Sequence, residues 1–287
     1  MKKKIFSLLI LLGVCFTLTG CKSDKMEDID IYTTVYPIEY ITSILYGDFS
    51  NIHSIYPDGV NVNDYKLTSK QIKDYSDSSL LIFNGLNSEK DYVTKFFKEN
   101  KKIKIIDATQ SMEYDYRTEE LWLNPSNFLM IAQNIKNGFN EYLTNQYIMN
   151  QVSSKYEELK INISKLDATF TTTIENANHK TIIVTDDAFN FLTKYGFNII
   201  SLDKDTANDK AYATAKELLK SGESTTIFDL TNDEISDRVQ AILDDTNASL
   251  THIHNLSNIT EKERSDKETY ISIMNNNIDL LKKELYR

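Results

Sequence analysis

An alternation of short apolar runs with amphipathic segments, repeated in both halves of the chain, constrains the fold most. Runs of this length are typical of strands buried on both faces of a parallel sheet. Repeated strand–helix units predict parallel sheets covered by helices, joined by right-handed crossovers. The pattern therefore predicts an α/β fold with two lobes. The predicted strands are Ile29–Tyr36, Asn51–Tyr56, Ser79–Asn84 and Ile103–Ile106, then Thr181–Thr185, Asn198–Leu202, Thr225–Asp229 and Ser249–Ile253.

The segments between these runs carry helix signals. Pro37 opens the first helix and Gly47 follows its end, an arrangement that suits helix termini. The remaining predicted helices are 68–75 and 89–97 in the first half, and 187–194, 208–220, 233–245 and 261–285 in the second.

The middle of the chain is of a different kind. Residues 126–175 contain no proline and only one glycine, Gly138, and apolar residues recur throughout at helical spacing. Two helices fit, with a break near Thr144. The second, 146–175, is far longer than an average helix. A coiled coil is the alternative, but a sustained heptad with charged flanks is lacking, which favours one rigid helix joining two lobes.

The N-terminus has the pattern of an export signal. Three lysines precede an apolar run from Ile5 to Leu18, which is too short for a comfortable membrane span. The run ends in Leu-Thr-Gly-Cys, which resembles the bacterial lipobox. The resemblance implies cleavage before Cys21 and a diacylglyceryl group on its thiol, which would anchor the protein to the outer face of the membrane.

These features give a domain organisation. We expect a signal peptide at 1–20, a polar tether at 21–28, an N-terminal α/β lobe at 29–143, a linking helix at 144–177 and a C-terminal α/β lobe at 178–287.

Composition narrows the chemistry. The two cysteines are Cys15, which leaves with the signal, and Cys21, so the mature chain has no thiol for a disulfide, a thiolate metal site or a nucleophile. Loss of the signal lysines takes the formal net charge from -10 to -13. Such a surface disfavours nucleic acid and attracts cations, although it would also serve solubility alone.

Catalytic motifs are missing from the sequence. It contains no nucleotide-binding loop, no G-x-S-x-G, no H-E-x-x-H and only four histidines. Polar residues do follow several predicted strands, where ligands bind in parallel sheets. Each of them also fits a helix cap, a turn or a solvated charge.

Taken together, these segments resemble a known family. The chain is similar, over nearly its full mature length, to the zinc- and manganese-binding lipoproteins of bacterial ABC importers, the cluster A-I solute-binding proteins. The motifs that carry the resemblance are Tyr36-Pro37, Tyr56-Pro57-x-Gly59, Asn63-Asp64-Tyr65-x-x-Thr68, Leu81-x-Phe83-Asn84-Gly85, Leu121-Trp122-Leu123-x-Pro125, Asp187-Ala188-Phe189-x-Phe191-Leu192 and Lys194-Tyr195-Gly196-Phe197.

The resemblance implies two lobes on a rigid backbone helix, little hinge closure, and a metal ion held in the cleft. It implies a monomeric, lipid-anchored receptor without enzymatic activity, which delivers its ion to an ABC permease driven by an ATPase.

The resemblance also implies a ligand set, in which this chain departs from the family. The family has histidines where this chain has Asn63 and Glu120; the other two positions fall on Asp186 and His254. Asp64 and His252 are neighbouring stand-ins for Asn63 and His254. An amide, two carboxylates and an imidazole would balance a divalent cation, and their oxygen bias favours manganese over zinc, with iron left open.

Two other functions remain open at this point. A surface adhesion or interaction lipoprotein would keep the fold without binding a transition metal. A metal-dependent hydrolase using Asp186 and Glu120 ranks last, because no base–nucleophile pair is recognisable.

Overall fold

The structure is a computed structural model that describes residues 25–230 and 234–287. The predicted signal peptide and Cys21 lie outside the described residues. The N-terminal lobe and the helices that follow it consist of β1 (Asp30–Thr33), α1 (Tyr36–Tyr46), β2 (Asn51–Ser54), α2 (Ser69–Ser76), β3 (Leu80–Phe83), α3 (Lys90–Glu99), β4 (Lys104–Asp107), α4 (Glu120–Leu123) and α5 (Pro125–Tyr142).

A single long helix, α6 (Gln146–Glu175), leads to the C-terminal lobe. That lobe consists of β5 (Thr181–Val184), a 3₁₀ helix (Asp187–Tyr195), β6 (Asn198–Ser201), α7 (Asp209–Ser221), β7 (Thr226–Leu230), α8 (Asp237–Asp245), β8 (Ser249–Ile253), α9 (Glu261–Ser265) and α10 (Tyr270–Leu285).

The two sheets have the same topology. Their strand orders are β2-β1-β3-β4 and β6-β5-β7-β8, and every pairing is parallel. All four residues of β3 are buried, as expected for a strand covered on both faces. The predicted α/β class with two parallel sheets is confirmed. Parallel topology places all strand carboxyl ends of a lobe at one edge, where the loops between strands and helices collect.

Helix α6 serves as the backbone that the sequence predicts. Its buried residues follow the helical repeat from Ile148 to Phe170. Lys155 pairs with Asp48 of the first lobe, with 2.9 Å between Nζ and Oδ2. Further along the helix, the Phe170 ring stacks on Tyr195 of the second lobe at a centroid distance of 5.0 Å. One helix thus holds both lobes.

A second connection runs through residues 254–266, here called the crossing segment. Its Asn258 amide donates to the carbonyls of Pro57 and Val60, at 2.8 and 3.0 Å. Its Arg264 guanidinium contacts the carboxylates of Glu39 and Asp58 at 2.6–3.1 Å. The segment therefore fastens the end of the second lobe to the first.

The largest hydrophobic core is also shared. It extends from Met26 to Leu285 and includes residues of both sheets and of α6. At its centre Tyr270 of α10 stacks on Phe128 of α5 at 3.9 Å, and the Tyr270 hydroxyl donates to the Trp122 carbonyl. A smaller cluster lies wholly within the second lobe.

Three predicted elements differ from the structure. The closing helix 261–285 is two helices, because Lys267 has a positive φ of 60° and Thr269 caps a new start. The segment 187–194 forms a 3₁₀ helix rather than an α-helix. The helix predicted from residue 233 begins at Asp237, capped by Ser236, and residue 233 itself lies outside the described residues.

The predicted tether 21–28 has its last residues packed on the N-terminal lobe. Met26 is fully buried, and its carbonyl accepts hydrogen bonds from the hydroxyls of Tyr46 and Ser50. Within the described part of the chain, no helix combines the length and the apolar character that crossing a bilayer requires.

Candidate functional site

The loops that follow the strands of both sheets meet between the lobes. The connection from β4 to α4 supplies Arg117, and the residue Asp186 follows β5 of the other sheet. The Arg117 guanidinium donates from Nη1 to Asp186 Oδ2 at 2.6 Å. This ion pair joins the lobes at the place where the ligand set was expected.

Asp186 is held by the start of the 3₁₀ helix. It is 3% exposed, and its Oδ1 accepts the backbone N–H of Ala188 at 2.6 Å as a helix cap. A capping aspartate after a strand has its carboxylate fixed by backbone geometry. Both oxygens of Asp186 are therefore engaged, one by the helix and one by Arg117.

Two glutamates begin α4 on the opposite lobe. The Glu119 side chain is 6% exposed, and its Oε2 lies 3.4 Å from Arg117 Nε. Glu120 lies beside it, and its Oε2 accepts the backbone N–H of Asp115 at 3.3 Å. Burial raises the pKa of the Glu120 carboxyl. Glu119 contacts the Arg117 guanidinium, whereas the Glu120 carboxylate accepts a hydrogen bond from within its own loop.

Asn63 lies on an exposed turn after β2, and its backbone N–H donates to Asn61 Oδ1. Its side chain lines a shallow depression of about 260 Å³. Its neighbour Asp64 accepts a hydrogen bond from the Asn61 amide at 2.8 Å. The other residues that line the depression are Tyr114, Tyr116, Arg117, Thr118 and Glu119.

His254 lies at the start of the crossing segment, with both ring nitrogens in contact with other groups. Nδ1 accepts the Leu256 N–H at 2.9 Å, and Nε2 lies 3.3 Å from Glu263 Oε1. Burial lowers the pKa of His254. The stand-in His252 is mostly exposed and pairs with Asp229 at 3.2 Å.

The structure gives each member of the expected set a different partner. Among residues 25–230 and 234–287, no three His, Cys, Asp or Glu side chains are close enough to share a metal ion. Asp186 pairs with Arg117, and Asn63 lines a depression that Arg117 also lines, while Glu120 and His254 have other partners. The four-ligand set remains a prediction.

A polar cavity of about 250 Å³ lies on the side of the Arg117–Asp186 ion pair that faces the C-terminal lobe. It opens at the carboxyl ends of β5 and β7, where Thr185 Oγ1 donates to the buried Asp229 Oδ1 at 2.6 Å. Arg117 lines both this cavity and the depression around Asn63. The guanidinium thus lies between the two spaces.

Sequence reasoning did not single out Arg117. A signal was present, since the chain has only four arginines, and Arg117 lies among the acidic residues of the β4–α4 connection. Arginine is favoured over lysine where a carboxylate must be held in a fixed, partly buried geometry.

Comparison with known proteins identifies the family. The family model ZnuA, described as zinc-uptake complex component A, periplasmic, matches residues 31–284. This chain belongs to the ZnuA family. The match covers both lobes and the crossing segment.

Individual relatives agree with the ZnuA assignment. The zinc-binding lipoprotein AdcA of Streptococcus pneumoniae is 25% identical over 98% of this chain, which spans about 60% of that protein's length. The metal ABC transporter substrate-binding lipoprotein SsaB of Streptococcus sanguinis is 26% identical over 99% of both chains. The Zn(II)-bound ZnuA-like domain of S. pneumoniae AdcA shares the fold, with a TM-score of 0.72, 20% identity and coverage of 91% of this chain and 100% of that one.

Proposed function

We propose that this ZnuA-family chain is an extracytoplasmic solute-binding lipoprotein that captures a divalent metal ion and delivers it to an ABC importer. Its partners are a membrane permease and a cytoplasmic ATPase, and it catalyses no reaction. The mature protein is a monomer held at the membrane by the lipid on Cys21 after removal of residues 1–20. The two lobes, 29–143 and 178–287, contribute the cleft, and the helix 144–177 holds them.

The observation that carries the proposal is the contact of two carboxylates, one from each lobe, with the Arg117 guanidinium. Asp186 comes from one lobe and Glu119 from the other, and both side chains are nearly removed from water. Buried carboxylates are stable as anions when a positive charge lies close by. A cleft built in this way has the charge and the oxygen donors that a divalent cation needs.

The ligand atoms of the predicted set favour an ion of the manganese or zinc class. Asn63, Glu120, Asp186 and His254 would supply three oxygen ligands and one nitrogen ligand, and oxygen-rich sites favour harder ions. The relatives named above are a zinc-binding and a metal-transport lipoprotein, so zinc stays in the proposal beside manganese. Iron, which the sequence left open, finds no support among them.

Thermal unfolding of the metal-stripped protein tests the proposal. Titration with Mn²⁺ or Zn²⁺ should raise the unfolding midpoint, and the stability gained should reach about 2.7 kcal/mol at a hundred times the Kd. Ca²⁺ and Mg²⁺ serve as competing hard ions. Asp186→Asn keeps the Oδ1 acceptor for the Ala188 cap while removing the charge, and it should abolish the rise.

The matched control is Asp205→Asn, an exposed aspartate of the same lobe, which should respond as the unaltered protein does. If the unaltered protein shows no midpoint rise with any of these ions, metal capture is refuted. The lipoprotein would then be better explained by an adhesion or interaction role on the same scaffold.

A further inference from the structure

We infer that Arg117 is the counter-ion of the metal-free cleft, and that its guanidinium must leave Asp186 before a divalent ion can bind there. The inference rests on the proposed function and extends it, because it names a residue that sets affinity without ligating the ion.

The contacts of Arg117 place its charge where the incoming ion needs its anionic ligands. Nη1 is 2.6 Å from Asp186 Oδ2, and Nε is 3.4 Å from Glu119 Oε2. Both acceptors are buried, with side chains 4% and 6% exposed, whereas Arg117 itself is 32% exposed. The arginine compensates two carboxylates that water cannot reach.

Arg117 and a divalent ion cannot share Asp186 without a large electrostatic penalty. Oδ1 caps the 3₁₀ helix and Oδ2 accepts the Arg117 guanidinium, so an ion that binds Asp186 through Oδ2 meets the charge of the arginine. A guanidinium and a doubly charged ion on the same oxygen would lie within about 4 Å of each other, where like charges repel strongly in a partly buried setting. Binding is therefore an exchange of cations.

The surroundings leave room for that exchange. The guanidinium borders the 250 Å³ cavity on one side and the 260 Å³ depression on the other. Because a third of the arginine side chain is already exposed, its guanidinium can turn toward water when it leaves Asp186 and Glu119. The free energy needed to break the Arg117–Asp186 pair then makes the free energy of metal binding less favourable.

Arg117→Gln tests the exchange, with Arg238→Gln as the matched control. Arg238 pairs with the exposed Asp209 on the surface of the C-terminal lobe, so the control makes the same change of side chain and charge away from the cleft. Each protein is stripped with a chelator. Its unfolding midpoint is measured, and Mn²⁺ and Zn²⁺ are then titrated by calorimetry.

Arg117→Gln should bind the ion at least about tenfold more tightly than the unaltered protein, since a hydrogen bond between charged groups no longer has to break. It should also unfold at a lower temperature when metal-free, because Asp186 and Glu119 lose their cation. Arg238→Gln should leave the affinity for the ion unchanged; because the Arg238 guanidinium also stacks on the Tyr212 ring, it is the control for binding and not for the midpoint. A merely structural arginine would give the opposite result for binding, because its loss would loosen the cleft and weaken affinity.

The outcomes separate the two ideas. If the unaltered protein binds metal and Arg117→Gln binds it equally well or less well, the exchange is refuted and the proposed function stands. Binding by Arg117→Gln alone would show that Arg117 blocks the cleft without exchanging for an ion, and would refute both the exchange and metal capture by the natural chain. Binding by neither protein overturns both.

Discussion

Replacing Glu89 by Gln should change how the stability of the protein depends on pH. Glu89 precedes α3 in the N-terminal lobe and is 2% exposed. Its Oε2 accepts the Asn84 N–H at 3.1 Å. Burial raises the pKa of this carboxyl from its ordinary value of 4.5 to about 7. Glutamine keeps an oxygen for Asn84 and removes the ionisable group.

The direction in which stability changes with pH depends on whether the folded or the unfolded chain holds the Glu89 proton. Between pH 4.5 and 7 the folded protein keeps the Glu89 proton while the unfolded chain has lost it. Unfolding then releases a proton, so stability falls as pH rises through this interval. At about 1.4 kcal/mol per pH unit, the loss above pH 7 approaches roughly 3 kcal/mol.

Urea unfolding of the two proteins in buffers from pH 4 to 8 measures this loss. The difference in stability between Glu89→Gln and the unaltered protein should grow by about 3 kcal/mol in favour of the variant as pH rises. Glu99→Gln, at the exposed end of the same helix, is the control and should show a constant difference. Parallel pH profiles for Glu89→Gln and the unaltered protein would refute the buried, proton-retaining carboxyl.

Two further predictions concern the junction between the lobes. Arg264→Gln should lower the free energy of unfolding by about 1–3 kcal/mol, because Glu39, whose side chain is 11% exposed, loses a charged partner. Urea unfolding measures this change. The control is Lys262→Gln, which removes a surface ion pair of α9 and should lower the free energy of unfolding by less than about 1 kcal/mol. Tyr270→Phe should cost about 1 kcal/mol in the same assay, because the Trp122 carbonyl loses its hydroxyl donor while the stacked ring remains; an unchanged midpoint would show that this buried hydrogen bond contributes nothing.

Periodicity accounts for most of the agreement between sequence and fold. The apolar runs predict the eight strands to within a few residues, and the spacing from Ile148 to Phe170 predicts α6, because burial on two faces or one stripe leaves a direct mark on residue order. The structure departs from the predicted elements where the backbone conformation of a single residue ends a helix. The closing helix is divided at Lys267, whose backbone conformation is unusual for a lysine and has no periodic signature.

The site was harder to predict, because it depends on contacts between residues far apart in the chain. Asp186 could be placed after a strand, but its partner Arg117 lies 69 residues earlier on another lobe. Likewise, the resemblance assigned His254 to the ligand set, and only the structure reveals its contact with Glu263. Side-chain pairing across a cleft depends on orientation, which residue patterns do not encode.

The crossing segment has a consequence for how the protein is made. Tyr36, near the start of the described chain, donates its backbone N–H to Ser257, and the Trp122 indole donates to the Asn255 carbonyl. A ribosome must therefore complete nearly the entire polypeptide before the first-synthesised sheet can acquire its final neighbours. Nascent chains interrupted before residue 255 would leave apolar faces bare, so we expect such fragments to aggregate rather than accumulate as an independent half.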